Sequence, residues 1–505
     1  MPMGILLHGA GIAAYQYDDN GNTPDGWDER TKGNISTSDD TSSARFDWHK
    51  SWYPIAVEQD LDTGIPHPVQ LLGKHLVIWN SGIDKTWRVF EDRCPHRLAP
   101  LSEGRIEPLN GSLYCNYHGW KFNGEGTCLS IPQLAEQQTR AIQSARACAV
   151  TYPTCVDEGL IWCWPTSGAE AHEEAHNQRA KNGGAGITQF TGPYENFVGS
   201  WYMRDVPVRW ETVRENAFND PSHDNVLHHG YFIANRNNAQ TAYTVEITNL
   251  GPQGFSSWWQ TGDAGSQKIH CRSNFPTAAL LSHRNGSSVG YFVPLALNLT
   301  RHFHGMLRKA TPGQKLQTAE TPGHPRKKNF LQLAETWKSH LVFHDILDAD
   351  IAIQAGVDRN RALRAKVFTP AAADRQPAAF HQWLKRHGGG GVPFEQGPDD
   401  ASTVAGAQMQ REQLLDRFLS HTVHCNACRQ AYAAMQLLQK VAYMAAGFLF
   451  FAACAAVAYK GLSLAVMGLG ALSGMGLAVA SKLQASIQRF VFVDYDEHHI
   501  SKQSC

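Results

Sequence analysis

The sequence predicts an α+β protein: a small all-β domain, then an antiparallel-sheet and helix domain, then a C-terminal helical hairpin. Three observations carry that prediction. Short β-rich runs separated by turns fill residues 46–165. Alternating strand patterns return between about residues 189 and 303 and give way to helical periodicity after about Asn329. Two uncharged, mostly apolar stretches, 442–458 and 462–480, stand near the end.

At 505 residues the chain has room for two or three domains, and 42 % hydrophobic against 18 % charged residues marks it as globular. A formal charge of −1 gives no basis for a nucleic-acid partner. The eleven cysteines are spread widely, unlike a secreted disulfide framework. Residues 1–45 read as a mobile arm rich in Gly, Ser, Thr, Asp and Asn, without the basic and apolar regions of a secretory signal. Asp18, Asp19, Asp25, Asp28, Glu29, Asp39 and Asp40 make that arm too acidic for an ordinary transit peptide.

In the β-rich region, Pro68-Val69-Gln70-Leu71-Leu72, Leu76-Val77-Ile78-Trp79 and Leu160-Ile161-Trp162-Cys163-Trp164 read as strands. Between them lie Cys94-Pro95-His96 and, after eighteen intervening residues, Cys115-Asn116-Tyr117-His118. A structural zinc site usually pairs cysteine with cysteine and histidine with histidine. Two mixed pairs suit a binuclear cluster with both cysteines on one iron and both histidines on the other, the Rieske [2Fe-2S] arrangement. Residues 46–165 are therefore expected to be a Rieske domain with Cys94, His96, Cys115 and His118 on loops at its tip. The Pro/Gly/Ala/Glu-rich stretch 165–187 reads as a linker or loop.

The second domain is expected over residues 188–400, with Tyr243-Thr244-Val245-Glu246-Ile247 as one of its strands. Its motif is Asp220-Pro221-Ser222-His223 followed by His228. Two histidines and a carboxylate on one face of a metal form the non-haem Fe(II) site that leaves positions open for O2 and substrate. A five-residue step ends about 140° past a full turn on a regular helix, so the pair needs a π-like turn or a helix end. His229 is the alternative ligand. The carboxylate must come from far along the chain. On the helix through Phe343–Gln354, Asp350 falls among Phe343, Ile346, Leu347, Ile353 and Gln354, while Asp345 and Asp348 point away. A lone carboxylate in an apolar stripe is costly unless paired or metal-bound, so Asp350 is the expected third ligand.

Residues 410–435 contain Cys425-Asn426-Ala427-Cys428, a C-x-x-C that suits a dithiol switch or half of a metal site. No second C-x-x-C completes a zinc ribbon. Over 441–481 the two apolar stretches, of 17 and 19 residues, read as a transmembrane hairpin, or otherwise as a buried one. Gly470 and Gly474 are the expected point of close helix approach. A polar tail, 482–505, follows, on the same side of the membrane as the catalytic domain.

In this order the motifs resemble the pheophorbide a oxygenase family of plants and algae. The likeness spans roughly residues 46–500. It is carried by Trp52-Tyr53-Pro54, Cys94-Pro95-His96-Arg97-Leu98-Ala99-Pro100-Leu101-Ser102-Glu103-Gly104-Arg105, Asp220-Pro221-Ser222-His223, Phe368-Thr369-Pro370, Asp416-Arg417-Phe418 with His421 and Cys425-x-x-Cys428, and Phe492-Val493-Asp494-Tyr495. The resemblance implies a Rieske cluster on Cys94, His96, Cys115 and His118 and a mononuclear Fe(II) on His223, His228 and Asp350. It also implies Asp220 as the carboxylate linking the cluster of one subunit to the iron of the next, in a homotrimer. Further implications are ferredoxin as electron donor, O2 and a chlorophyll-derived tetrapyrrole as substrates, and a chloroplast membrane (thylakoid or inner envelope) with the body facing the stroma. The Trp258-Trp259 stretch is expected to line the tetrapyrrole cavity. Ring opening of pheophorbide a is the first choice of reaction. Ring-substituent oxidation of chlorophyllide a or protochlorophyllide a is the second. From another class comes a membrane-bound redox relay or sensor. Cys425 and Cys428 are the expected redox-regulatory pair, with thioredoxin as a partner.

Overall fold

The computed structural model describes residues 45–135, 140–186, 195–228, 241–262, 266–283, 286–309, 330–363, 365–395 and 409–494. Most of the N-terminal arm, His229, Tyr495 and the end of the polar tail lie outside them. The described residues form two compact units, one of 45–309 with 353–395 and the other of 330–352 with 409–494.

In the larger unit the β-rich region forms three small antiparallel sheets. Strand Lys74–Ser81 lies between His67–Leu71 and Thr86–Glu91, with Thr151–Tyr152 beyond, and Tyr53–Val57 pairs with Leu160–Cys163 and through it with Thr154–Asp157. Lys74–Ser81 shows why its sequence is so apolar. Leu76 and Ile78 enter one core with Tyr53, Trp162 and Tyr291, while Val77 and Trp79 enter another with Phe90, Leu113, Cys94 and Cys115. A strand covered on both faces reads as a continuous apolar run. Four short strands, Arg105–Ile106, Leu113–Tyr114, Lys121–Phe122 and Cys128–Ser130, form the third sheet, and its turn 115–120 carries the second Cys/His pair.

The stretch expected as a linker contains helix α1, Ala169–Asn182, closed by Gly183 at φ +73°. Only Ala171 and Ala175 of this helix are buried, so it has almost no apolar stripe and leaves no periodic signal. It is tied down by polar contacts instead, Lys50 to Glu174 at 2.8 Å and Trp52 Nε1–H to the Ala175 carbonyl at 3.3 Å.

Seven antiparallel strands form the second domain's sheet. From Tyr243–Gly251 to Leu299–Lys309 six of them run as a meander, and Glu195–Val206 closes the edge beside the last. Helices α2, Trp210–Asn216, and α3, Pro221–Leu227, follow that edge strand. Trp259 is buried with Val245, Ile269 and Cys271, and Trp258 carries the Lys268 ammonium 4.0 Å above its ring, so this pair packs on its own sheet.

Helix α4, Phe330–Ala362, runs through both units, and α5, Arg375–Arg386, packs Trp383 flat on Phe275 at 3.7 Å in the larger one. The burial of α4 differs from the apolar-stripe expectation. Ile353 is 46 % exposed, whereas His344, Asp345 and Asp348 are buried. The reason lies elsewhere in the smaller unit. Arg417, wholly buried, places its guanidinium 2.6 Å from Asp348 and 2.9 Å from Asp345, and Arg489 reaches the other Asp345 oxygen at 2.8 Å.

The smaller unit continues with a one-turn helix α6, Arg411–Leu414, a π turn at Phe418–Thr422, and the long helices α7, Asn426–Lys460, and α8, Leu464–Gln488. Both long helices are apolar and long enough to cross a membrane. Val466, Ser473, Ala480 and Ile487, seven apart, are the buried positions of α8, opposite Ala446 and Ala453 of α7. That is the spacing of a left-handed helix seam. The close approach falls at Gly476, where an added Cβ would lie 3.0 Å from Ala446 Cβ, and Ser473 donates to the Ala446 carbonyl at 2.8 Å. Gly470 and Gly474, expected at this contact, face open space. Seven-residue spacing, not the small-xxx-small step, sets the seam.

Candidate active site and metal centres

The two Cys/His loops share one backbone plan. Cys94 N–H donates to the Ala99 carbonyl at 2.8 Å and Cys115 N–H to the Trp120 carbonyl at 2.9 Å. Each cysteine carbonyl accepts from the N–H four residues on, Leu98 and Gly119, both at 2.9 Å. Those residues sit in the left-handed region, at φ +61° and +79°. The N–H groups of His96 and Arg97 point at the Cys94 sulfur, and those of Tyr117 and His118 at the Cys115 sulfur. The neighbouring Cys94 thiol, with those amides, draws the Cys115 thiol down to about 6, while Cys94 itself is pushed far up by Cys115.

The His96 and His118 rings stand 4.6 Å apart, and His96 stacks on Trp120 at 4.8 Å. The His96 Nδ1 atom is buried without a hydrogen-bond partner. An unmade bond of that kind costs about 1–3 kcal/mol, which a metal bond would offset. Two reduced cysteines, two facing imidazoles and four amides aimed at sulfur fit a Rieske cluster. The cysteines are buried, while the histidines are part-exposed and flanked by exposed Leu98 and Tyr117, so the histidine edge faces the surface.

The second motif is built at a helix end. Asp220 caps α3, its carboxylate accepting from the Ser222 N–H at 3.0 Å and hydroxyl at 2.6 Å. His223 lies within α3 and His228 is its C-cap, so the five-residue step is met where the helix stops. The rings are 5.3 Å apart and nearly perpendicular. His223 Nδ1 is 2.6 Å from the Asp220 carbonyl oxygen, which fixes that nitrogen as the N–H and presents Nε2. Half-exposed Asp224 lies 3.4 Å from Nε2. The turn before α3 is stapled from within. Asn219 donates to the Arg214 carbonyl at 2.7 Å and accepts from Ser273 at 2.8 Å, and buried Arg214 holds the Ala217 carbonyl at 3.2 Å. Phe218 between them is at φ +64°, a conformation a bulky residue keeps only when its surroundings impose it. No local pattern marked Arg214 and Asn219, whose role depends on strands some sixty residues away.

Within the smaller unit His340, His421, Cys425 and Cys428, all buried, bring their donor atoms within 4.8 Å of one another and could hold a metal. Of the three expected iron ligands, His223 and His228 lie in the larger unit and Asp350 in the smaller. The sequence marked Cys425 and Cys428. His421 was visible four residues upstream, but His340, on α4, was not.

Residues 51–146 match the Rieske [2Fe-2S] domain family. The chloroplast pheophorbide a oxygenase of Arabidopsis thaliana is 30 % identical over 483 residues, covering 90 % of this chain and 84 % of its own. The chain belongs to the pheophorbide a oxygenase family. It is a Rieske-type oxygenase, with the iron–sulfur cluster that this domain carries. Flavonoid 8-hydroxylase 2 of Ocimum basilicum is 28 % identical over 480 residues, covering 90 % of this chain and 85 % of its own. A crystal structure of dicamba monooxygenase bound to dicamba covers 68 % of this chain and 97 % of its own, at 18 % identity and a TM-score of 0.48.

Proposed function

We propose that this protein oxygenates a chlorophyll-derived tetrapyrrole with O2 and electrons from a ferredoxin-type donor, opening the ring of pheophorbide a. The observation that carries this reading is the extent of the likeness to the Arabidopsis enzyme, which reaches far beyond the Rieske domain to 90 % of the chain. When bound, a cluster on Cys94, His96, Cys115 and His118 supplies single electrons, and an Fe(II) on His223, His228 and Asp350 supplies O2 activation. Asp220 fixes the tautomer of His223 through its backbone carbonyl while its carboxylate caps α3. That leaves the second carboxylate oxygen to meet a cluster histidine of a neighbouring copy in a homotrimer. Helices α7 and α8 expose Phe448, Phe450, Phe451, Leu472 and Met475, a surface suited to lipid, which supports a body held at a chloroplast membrane where such pigments partition.

The test is anaerobic incubation of the reduced protein with pheophorbide a, chlorophyllide a or protochlorophyllide a, then isotopically labelled O2 and mass analysis. Labelled, ring-opened pheophorbide a supports the reading. Product from either of the other pigments alone moves the assignment to ring-substituent oxidation. The flavonoid hydroxylase likeness, of nearly equal extent, favours a second reading in which a planar phenolic is the substrate, so a flavone belongs in the same panel. Absence of substrate-dependent O2 uptake with every compound would leave a redox relay.

A further inference from the structure

We propose that His340, His421, Cys425 and Cys428 bind a structural zinc ion that ties α4 to the start of the apolar hairpin. The four side chains come from three places. His340 projects from α4, His421 from the π turn, and Cys425 and Cys428 from the N-cap and first turn of α7. They are nearly solvent-free, with residue exposures from 0 to 4 %.

The distances are those of a coordination polyhedron. His421 Nε2 is 3.2 Å from Cys428 Sγ, and His340 Nδ1 is 3.5 Å from both Cys425 Sγ and Cys428 Sγ. With Zn–S about 2.3 Å and Zn–N about 2.0–2.1 Å, a tetrahedron has N···S edges of about 3.5 Å. Hydrogen bonding alone accounts for the cluster less well. Both thiols converge on His340 Nδ1, and one imidazole nitrogen has a single lone pair to accept with.

Charge argues the same way. Trp337, Leu341, Ala427, Ala431 and Phe490 surround the group, and no isolated ion is stable in such a shell. Zn2+ with two thiolates and two neutral imidazoles carries no net charge, and the N-terminus of a 35-residue helix favours the thiolate form. The π turn has a role here as well. Its wider winding brings His421 back over Cys428, and the Cys425 N–H donates to the His421 carbonyl at 3.0 Å. His344, one turn beyond His340, packs its ring 4.6 Å from that of His421 and fixes its plane. The consequence is mechanical: Asp350 stands ten residues after His340 on the same helix, about 15 Å along its axis, so the clip sets the register of α4.

The test is metal analysis of the full-length protein purified in detergent, with the visible spectrum of the Rieske cluster as the control for folding. About one zinc per chain, resistant to brief chelation, is expected. Growth on cobalt should give the visible d–d bands of a tetrahedral thiolate–imidazole site. Cys425→Ser/Cys428→Ser and His340→Ala should lose zinc at least tenfold, while His340→Cys should keep it and shift the cobalt bands. Cluster-loaded wild-type protein that takes up neither zinc nor cobalt overturns the proposal. So do zinc retained by the double serine variant, iron in place of zinc at these ligands, or a Cys425–Cys428 disulfide in the protein as isolated. Should the loss variants fail to fold, the wild-type and His340→Cys cobalt spectra decide. The oxygenase reading stands or falls separately, since none of the four residues is assigned to iron.

Discussion

Arg417→Met is the most informative single change. The guanidinium is wholly buried and bonds Asp348 through Nε at 2.7 Å, Asp345 through Nη2 at 2.9 Å, and the Arg489 carbonyl through Nη1 at 3.0 Å. Asp345 keeps Arg489 at 2.8 Å after the substitution, but the fully buried Asp348 loses the guanidinium that balances its charge. Breaking one side of a buried ion pair costs about 3–5 kcal/mol, because a desolvated charge is left uncompensated. At about 2–4 °C per kcal/mol, melting should fall by roughly 6–20 °C. Arg417→Met/Asp348→Asn removes the stranded charge and should recover much of the loss, because neutral replacements of buried ion pairs are often close to neutral in stability. The assay is thermal unfolding in detergent of wild type, both single variants and the double. If the two single changes add with no coupling, or if Arg417→Met melts with the wild type, the argument that Arg417 explains two buried aspartates on α4 is wrong.

Four further outcomes follow. Asn219→Ala removes a buried donor and acceptor at 2.7 and 2.8 Å and should cost about 1–3 kcal/mol, with the iron proposed for His223 and His228 lost before the cluster on metal analysis. Gly119→Ala forces a Cβ to φ +79° and to 2.9 Å from Tyr114 Oη, so cluster loading read by absorbance should drop. Leu98→Gly, which relieves a left-handed exposed leucine, should hold or gain up to about 1 kcal/mol. Burial pushes the thiols of Cys155 and Cys271 up to about 12. A raised folded-state value favours the folded form below the ordinary thiol range and is lost as pH rises, so both should resist alkylation at pH 8, and stability should decline between about pH 9 and 12. Labelling of Cys271 in native protein at pH 8 would contradict the burial argument.

Local order carried a great deal of this protein. The mixed Cys/His pairs, the Asp220–His228 motif and the two apolar stretches each lie within some twenty residues, and their chemistry is set by residue type and spacing. The helix-end geometry of His223 and His228 was also legible, because a five-residue step cannot share one face of a regular helix. What the tertiary structure decided involves partners far apart in the chain. Asp345 and Asp348 of α4 looked solvent-facing because their counter-charge, Arg417, stands about seventy residues away. Helix α1 escaped notice because polar ties hold it, leaving no apolar periodicity. Most of all, C-x-x-C read alone is a pair of thiols. Only the packing of α4 and the π turn against α7 brings two imidazoles within 3.5 Å of those sulfurs, because coordination geometry is a property of space and the sequence records only order along the chain.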